Sequence, residues 1–187
     1  IPLCLVGSEM CIRDSVKHLG IARRTEQGIE MRVHPTLIPE RKQIATVDGV
    51  LNAVMISGDA VGELVLVGPG AGGAATASSV CADLLDVARN PAASGPALGI
   101  AADALQSPTW VPAEDIASEW YVRVTATDQS GVMSDITKIL ASRDISIESI
   151  IQKPPPPGSD KVAVVLLTHV APQSVMTGAL NEITALE

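Results

Sequence analysis

Apolar and polar positions along the chain follow two different periods, and the switches between them lay out its elements. In Ile29–Val33 the apolar Ile29, Met31 and Val33 alternate with Glu30, Arg32 and His34, the period of a strand with one dry and one wet face. Val50–Ser57 and Glu63–Val67 read as two more strands, and the Gly- and Asp-containing SGDAVG between them predicts an antiparallel hairpin. Over residues 73–89 the spacing becomes helical, with Val80, Cys81, Leu84, Leu85 and Ala88 on one stripe. That stripe predicts a buried helix face with Cys81 as a core thiol. Asn90-Pro91 ends the helix.

Residues 91–118 change character. Pro91, Pro96, Pro108 and Pro112 break any long element, so the stretch reads as a linker with one short helix around Ile100–Leu105. Residues 119–187 return to regular patterning in the order strand, helix, strand, strand, helix. Val122, Val124 and Ala126 alternate with polar neighbours; Val132, Ile136, Ile139 and Leu140 share a helix face that Asp128 or Ser130 can cap. Ile145–Gln152 and Lys161–Thr168 are rich in β-branched residues, and KPPPPGSD joins them. Pro172 suits the start of a last helix whose inward stripe is Val175, Ala179 and Ile183. This βαββα order lacks one strand of the βαββαβ ferredoxin-like unit; the chain stops at Glu187, where that strand is expected, so the unit reads as truncated.

The opening IPLCLVGSEMCIRDS shows neither period. It resembles a translated sequencing adapter and is set aside, over residues 1–15, as an artefactual or disordered leader. The organised regions are then 16–90 and 119–187.

Composition narrows the picture. With 187 residues, 47% hydrophobic and 18% charged, the chain is globular and has room for two small domains. Phe is absent and aromatics total 2%, so the core is built from Val, Ile, Leu and Ala in small packing increments. A formal net charge of -8 repels phosphate backbones and argues against nucleic acid. Charged residues interrupt every candidate membrane span. Cys4, Cys11 and Cys81 are odd in number and lack zinc-ligand spacing, which fits a reducing cytoplasm.

The sharpest chemical feature is GPGAGG at 68–73, between a strand and a helix. Gly68, Gly70 and Gly73 satisfy G-x-G-x-x-G literally, but a dinucleotide fingerprint also needs a βαβ unit. Here the helix runs into the Pro-rich stretch, so the Rossmann reading is rejected. A weaker possibility remains: bare backbone at Gly70, Gly72, Gly73 and Thr76 lets a phosphate or ribose approach, with the helix dipole behind it. On the residues alone a tight turn is the simpler reading. The two readings of DQSGV at 128–132 are likewise an ordinary helix start or a set of free N–H groups for an amino-acid carboxylate. Asn52, inside the apolar LNAV, reads as a buried backbone clamp rather than a site residue. Asp83 and Asp86 read as a solvated face, His34 as a surface residue, and His18 and His169 as structural.

Together GIEMRVHPTLIP, VDGVLNAVMISGD and GPGAGGAATASSVCADLLDVAR resemble, in order and spacing, the distal part of the catalytic domain of homoserine dehydrogenases. YVRVTATDQSGVMSDITKILASRDISIESIIQK resembles an ACT domain. The resemblance implies an α+β architecture: a mixed or antiparallel sheet with helices from the catalytic domain, then a ferredoxin-like regulatory unit. It implies NADP- or NAD-dependent interconversion of L-homoserine and L-aspartate 4-semialdehyde, with cofactor contact by Gly72 and the neighbouring Gly70, Gly73 and Thr76. It also implies a homo-oligomer and feedback by threonine, which we expect near Asp128, Gly131 and Val132. The family's Rossmann domain, catalytic Lys, its acidic partner and the homoserine-binding Glu match nothing here, and Lys17 is not put in their place. No catalytic residue is therefore assigned, and the 187 residues are expected to have no dehydrogenase activity by themselves. The alternative is a non-catalytic amino-acid-binding module carried by the ACT-like half.

Overall fold

The computed structural model describes residues 14–89, 104–127, 129–152, 154–155, 158 and 160–186. Contacts divide the described residues into two compact units, those within 20–33 and 109–186 and those within 14–19, 34–89 and 104–108. The architecture is α+β, with every sheet pairing between named strands antiparallel where its register is defined.

The described chain opens with a hairpin of β1 (Asp14–Thr25) and β2 (Gly28–Pro39). Asp14 and Ser15, read as the end of a leader, are the first residues of β1, a strand the periodicity did not predict. In β2 the faces are the reverse of those expected. Glu30 is only 6% exposed, while Met31 and Val33 are 59% and 71% exposed. The reason is local. Arg23 in β1 donates to both oxygens of the Glu30 carboxylate at 3.0 Å, which satisfies a charge that burial would otherwise penalise. Alternation locates the two faces of a strand but does not say which one the rest of the protein covers.

In the unit that begins with residues 14–19 and continues from residue 34, a 3₁₀ turn at Gln43–Thr46 leads to β3 (Leu51–Gly58) and β4 (Gly62–Pro69). The two strands form the predicted antiparallel hairpin, with Leu51 opposite Pro69 and Gly58 opposite Gly62. Lys17 donates to the Val47 carbonyl at 2.7 Å and pairs with the Asp48 carboxylate, which ties down the chain just ahead of β3. Helix α1 (Gly73–Arg89) has the predicted bounds. None of its residues is buried, and Cys81 is exposed. The expected core stripe is thus an uncovered apolar face, since no described element packs over Val80, Leu84 and Leu85.

In the other unit, the end of the Pro-rich stretch is structured rather than a free linker. The Ile29 N–H donates to the Thr109 carbonyl at 2.8 Å, and the Val111 N–H to the Ile29 carbonyl at 3.0 Å. A 3₁₀ turn follows at Ala113–Asp115, then the two-residue β5 (Ala117–Ser118). Val111 and Ile116 are buried, so Pro-rich composition here marks irregular but packed backbone. The helix expected around Ile100–Leu105 lies mostly outside the described residues.

The ACT-like part consists of β6 (Tyr121–Thr127), α2 (Val132–Ser142), β7 (Ile147–Gln152), β8 (Lys161–Thr168), β9 (Ala171–Pro172) and α3 (Gln173–Thr184). The sheet order is β6-β8-β7, and β9 pairs with β5. As the central strand, β8 carries a nearly unbroken apolar run, with Val162, Val164, Val165 and Leu166 all buried. Val122, Ile136, Leu140, Leu166, Met176 and Ala179 belong to the core between this sheet and the two helices. The N-cap of α2 is Gly131 (φ 102°), with no side-chain cap, so the capping expected from Ser130 is not made.

Candidate functional site

The glycine turn is built by the β3–β4 hairpin and the start of α1. It enters from an antiparallel strand, not from a parallel βαβ unit, in keeping with rejection of the Rossmann reading. The Gly70 N–H donates to the Val50 carbonyl at 3.1 Å, anchoring the turn to the base of the hairpin. The Thr76 N–H donates to the Gly72 carbonyl at 3.1 Å and closes the first helical turn.

The glycines of the turn have different reasons to be there. Gly72 has φ 118°, in a region that L side chains rarely adopt, and a Cβ there would meet nothing within 4 Å. Its lack of a side chain is set by backbone conformation and leaves open space over the peptide. Gly73 has open space without positive φ. Gly70 is crowded instead: a Cβ there would overlap the Asn52 carboxamide. Thr76 is exposed. The turn therefore brings Gly70, Gly72, Gly73 and Thr76 to one strand-to-helix junction, with open space at Gly72 and Gly73 and the free N–H groups of a 17-residue helix behind it. Such a junction suits approach by a polar or anionic small-molecule group; it holds no proton-transferring side chain.

Asn52 does not behave as a buried clamp. It is exposed, lies opposite Gly68 in the hairpin register, and its side chain makes no hydrogen bond among the described residues. It lies within β3 as its pattern predicts, and its carboxamide lies against Gly70, a neighbour that no local period couples to it.

Of the second candidate site, Asp128 lies outside the described residues. Gly131 is exposed at the uncapped start of α2, and Val132 is half-buried beside the core. Asp83 and Asp86 are both exposed on α1, His18 and His169 are exposed, and His34 is half-buried with Nδ1 3.2 Å from the Thr36 hydroxyl. Among the described residues no group of three or more His, Cys, Asp or Glu side chains is placed to hold a metal, and no helix is long and apolar enough to cross a membrane.

Residues 12–85 match the homoserine dehydrogenase family, and residues 120–187 match the ACT domain family. The chain thus joins a homoserine dehydrogenase segment to an ACT domain. It is 46% identical over 176 residues to homoserine dehydrogenase of Pseudomonas aeruginosa, covering 92% of this chain and 41% of that protein. It is 42% identical over 179 residues to the enzyme of Neisseria gonorrhoeae, covering 92% and 40%. A crystal structure of homoserine dehydrogenase from Thiobacillus denitrificans superimposes with a TM-score of 0.82 at 45% identity, covering 94% of this chain and 40% of that one. The chain thus spans about 40% of the length of these relatives. The family segments and the compact units do not coincide, because residues 20–33 of the homoserine dehydrogenase segment group with the ACT domain.

Proposed function

We propose that this chain is part of an enzyme that interconverts L-homoserine and L-aspartate 4-semialdehyde with NADP or NAD, and that the turn Gly70–Gly73, with Thr76, borders the nicotinamide end of that cofactor. The observation that carries the proposal is Gly72: a positive φ of 118° with nothing within 4 Å of where its Cβ would be. Such a peptide can be reached at van der Waals distance by a flat ring or a ribose. When bound, the cofactor supplies or accepts the hydride. This chain's share is to position the cofactor and to exclude water from its flank. A purely amino-acid-sensing module has no use for the hairpin, turn and helix of residues 51–89.

The test is a chimaera in which this chain replaces the matching 41% of the Pseudomonas aeruginosa relative. Gly72→Val should raise the Kd for NADPH by about tenfold or more, since β-branched residues are the least tolerant of positive φ and the side chain would fill the space. Unchanged NADPH affinity in a folded variant would overturn the reading.

The regulatory half of the proposal places a small amino acid, threonine, at the start of α2, with Asp128, Gly131 and Val132 around it. It is supported by the uncapped helix start, whose N–H groups suit a carboxylate. Pairing of ACT sheets between subunits of a homo-oligomer would couple this binding to assembly, and a reducing cytoplasm is the compartment the reading assumes. Calorimetric titration of the chimaera with threonine checks it; no heat at millimolar ligand would count against it.

A further inference from the structure

We infer that Asn52 is a ligand-contacting residue of the glycine-turn site, offering its carboxamide to the carboxamide of the nicotinamide ring; this rests on the reading of the turn proposed above. The argument starts from cost. Asn is unfavourable within a strand, and this one is flanked by Leu51, Ala53 and Val54. A structural Asn repays that cost with side-chain hydrogen bonds to backbone or other side chains, but the Asn52 carboxamide makes none among the described residues. Its position is nevertheless tightly defined. The carboxamide occupies the space in which Gly70 would carry a Cβ, so any side chain at Gly70 would evict it. Gly70 is bare because Asn52 lies over it. The result is an exposed amide with two donor hydrogens and an acceptor oxygen unused, held against a turn whose next glycine has open space around it.

A carboxamide recognises another carboxamide through a paired donation and acceptance, because each carries one of both on the same edge. Nicotinamide bears such a group. Asn52 would therefore read the ring substituent and fix the ring's rotation, while Gly72 lets the ring approach.

The same chimaera tests this with two cofactors, NADPH and its 3-acetylpyridine analogue, in which the ring amide is replaced by a methyl ketone. With Asn52 the chimaera should bind NADPH about fivefold more tightly than the analogue, the ratio expected for one lost neutral hydrogen bond. In Asn52→Ala, and in the similarly sized Asn52→Leu if the alanine variant does not fold, the acceptor for the ring amide's N–H is gone and that ratio should fall to about one, while the Gly72→Val variant weakens both cofactors. Retention of the full ratio in the folded Asn52 variants, with Gly72→Val still weakening binding, overturns the inference alone. If Gly72→Val leaves both affinities unchanged, the reading of the turn fails and the inference with it.

Discussion

Arg23 and Glu30 face each other across the β1–β2 hairpin, with the guanidinium donating from Nε and Nη2 to the two oxygens of one carboxylate at 3.0 Å. The geometry is bidentate, and it joins a half-wet arginine to a carboxyl that is nearly sealed from solvent. Hydrogen bonding from Arg23 holds the Glu30 carboxyl below the ordinary carboxylate range; burial opposes this but does not outweigh it.

Removing the arginine should therefore cost more than an ordinary surface pair is worth. Arg23→Ala leaves a buried carboxylate unpaired, and we expect a loss of about 1–3 kcal/mol. Both tryptophans, Trp110 and Trp120, lie in the same compact unit as the pair, so urea unfolding followed by their fluorescence reads that unit directly. A loss below about 0.5 kcal/mol, typical of exposed pairs, would show that the bidentate contact is not made.

The pH dependence follows from the same shift. A carboxyl whose folded pKa is depressed binds fewer protons in the folded state than in the unfolded one. Its contribution is fully present above the unfolded pKa and disappears as pH falls through the folded value. Stability should decline on acidification below about pH 5, and Glu30→Gln should flatten that decline. An identical slope in the variant would exclude Glu30 as its source.

The end of α2 carries an avoidable strain. Asp144 has φ 57°, the left-handed position that closes a helix, and its neighbour Ile145 donates back to the Leu140 carbonyl at 3.0 Å. Glycine adopts that conformation without penalty, and removing the carboxylate also relieves its repulsion with the negative helix end. Asp144→Gly should stabilise by about 0.5–1 kcal/mol, read as a higher urea midpoint with unchanged slope. A lower midpoint would refute this account.

At Gly28 the expectation is opposite. Its φ is 140°, and an added Cβ would stand 3.0 Å from the Thr109 carbonyl carbon and closer still to its oxygen. Backbone cannot move aside as a flexible side chain can. Gly28→Ala should cost at least about 2 kcal/mol and loosen the bond from Ile29 to Thr109, seen as faster exchange of the Ile29 amide hydrogen. Unchanged exchange would show that the contact is not needed.

Leu166 is 0% exposed at the centre of the β8 strand. Leu166→Ala should destabilise by about 2–5 kcal/mol, since neighbours on both helices cannot collapse fully into the void. Calorimetric unfolding of the chain measures it, and a loss under about 1 kcal/mol would mean that the core rearranges.

Local pattern alone determined a good deal of this protein. The bounds of α1 and β8, the β3–β4 hairpin and the βαββα order were all legible, because period, turn residues and helix breakers act over a few neighbours. The family resemblance was legible too, because three motifs stood in order. What the tertiary structure decided was which side of each element is covered. Only there did Glu30 turn inward and Met31 outward, and only there did the stripe holding Cys81 prove uncovered. The same holds for the site: GPGAGG announced a turn, but the contact between Gly70 and Asn52 joins that turn to a residue on β3 of the hairpin. Burial and cross-strand contact depend on what packs from elsewhere in the chain, and no local period encodes that.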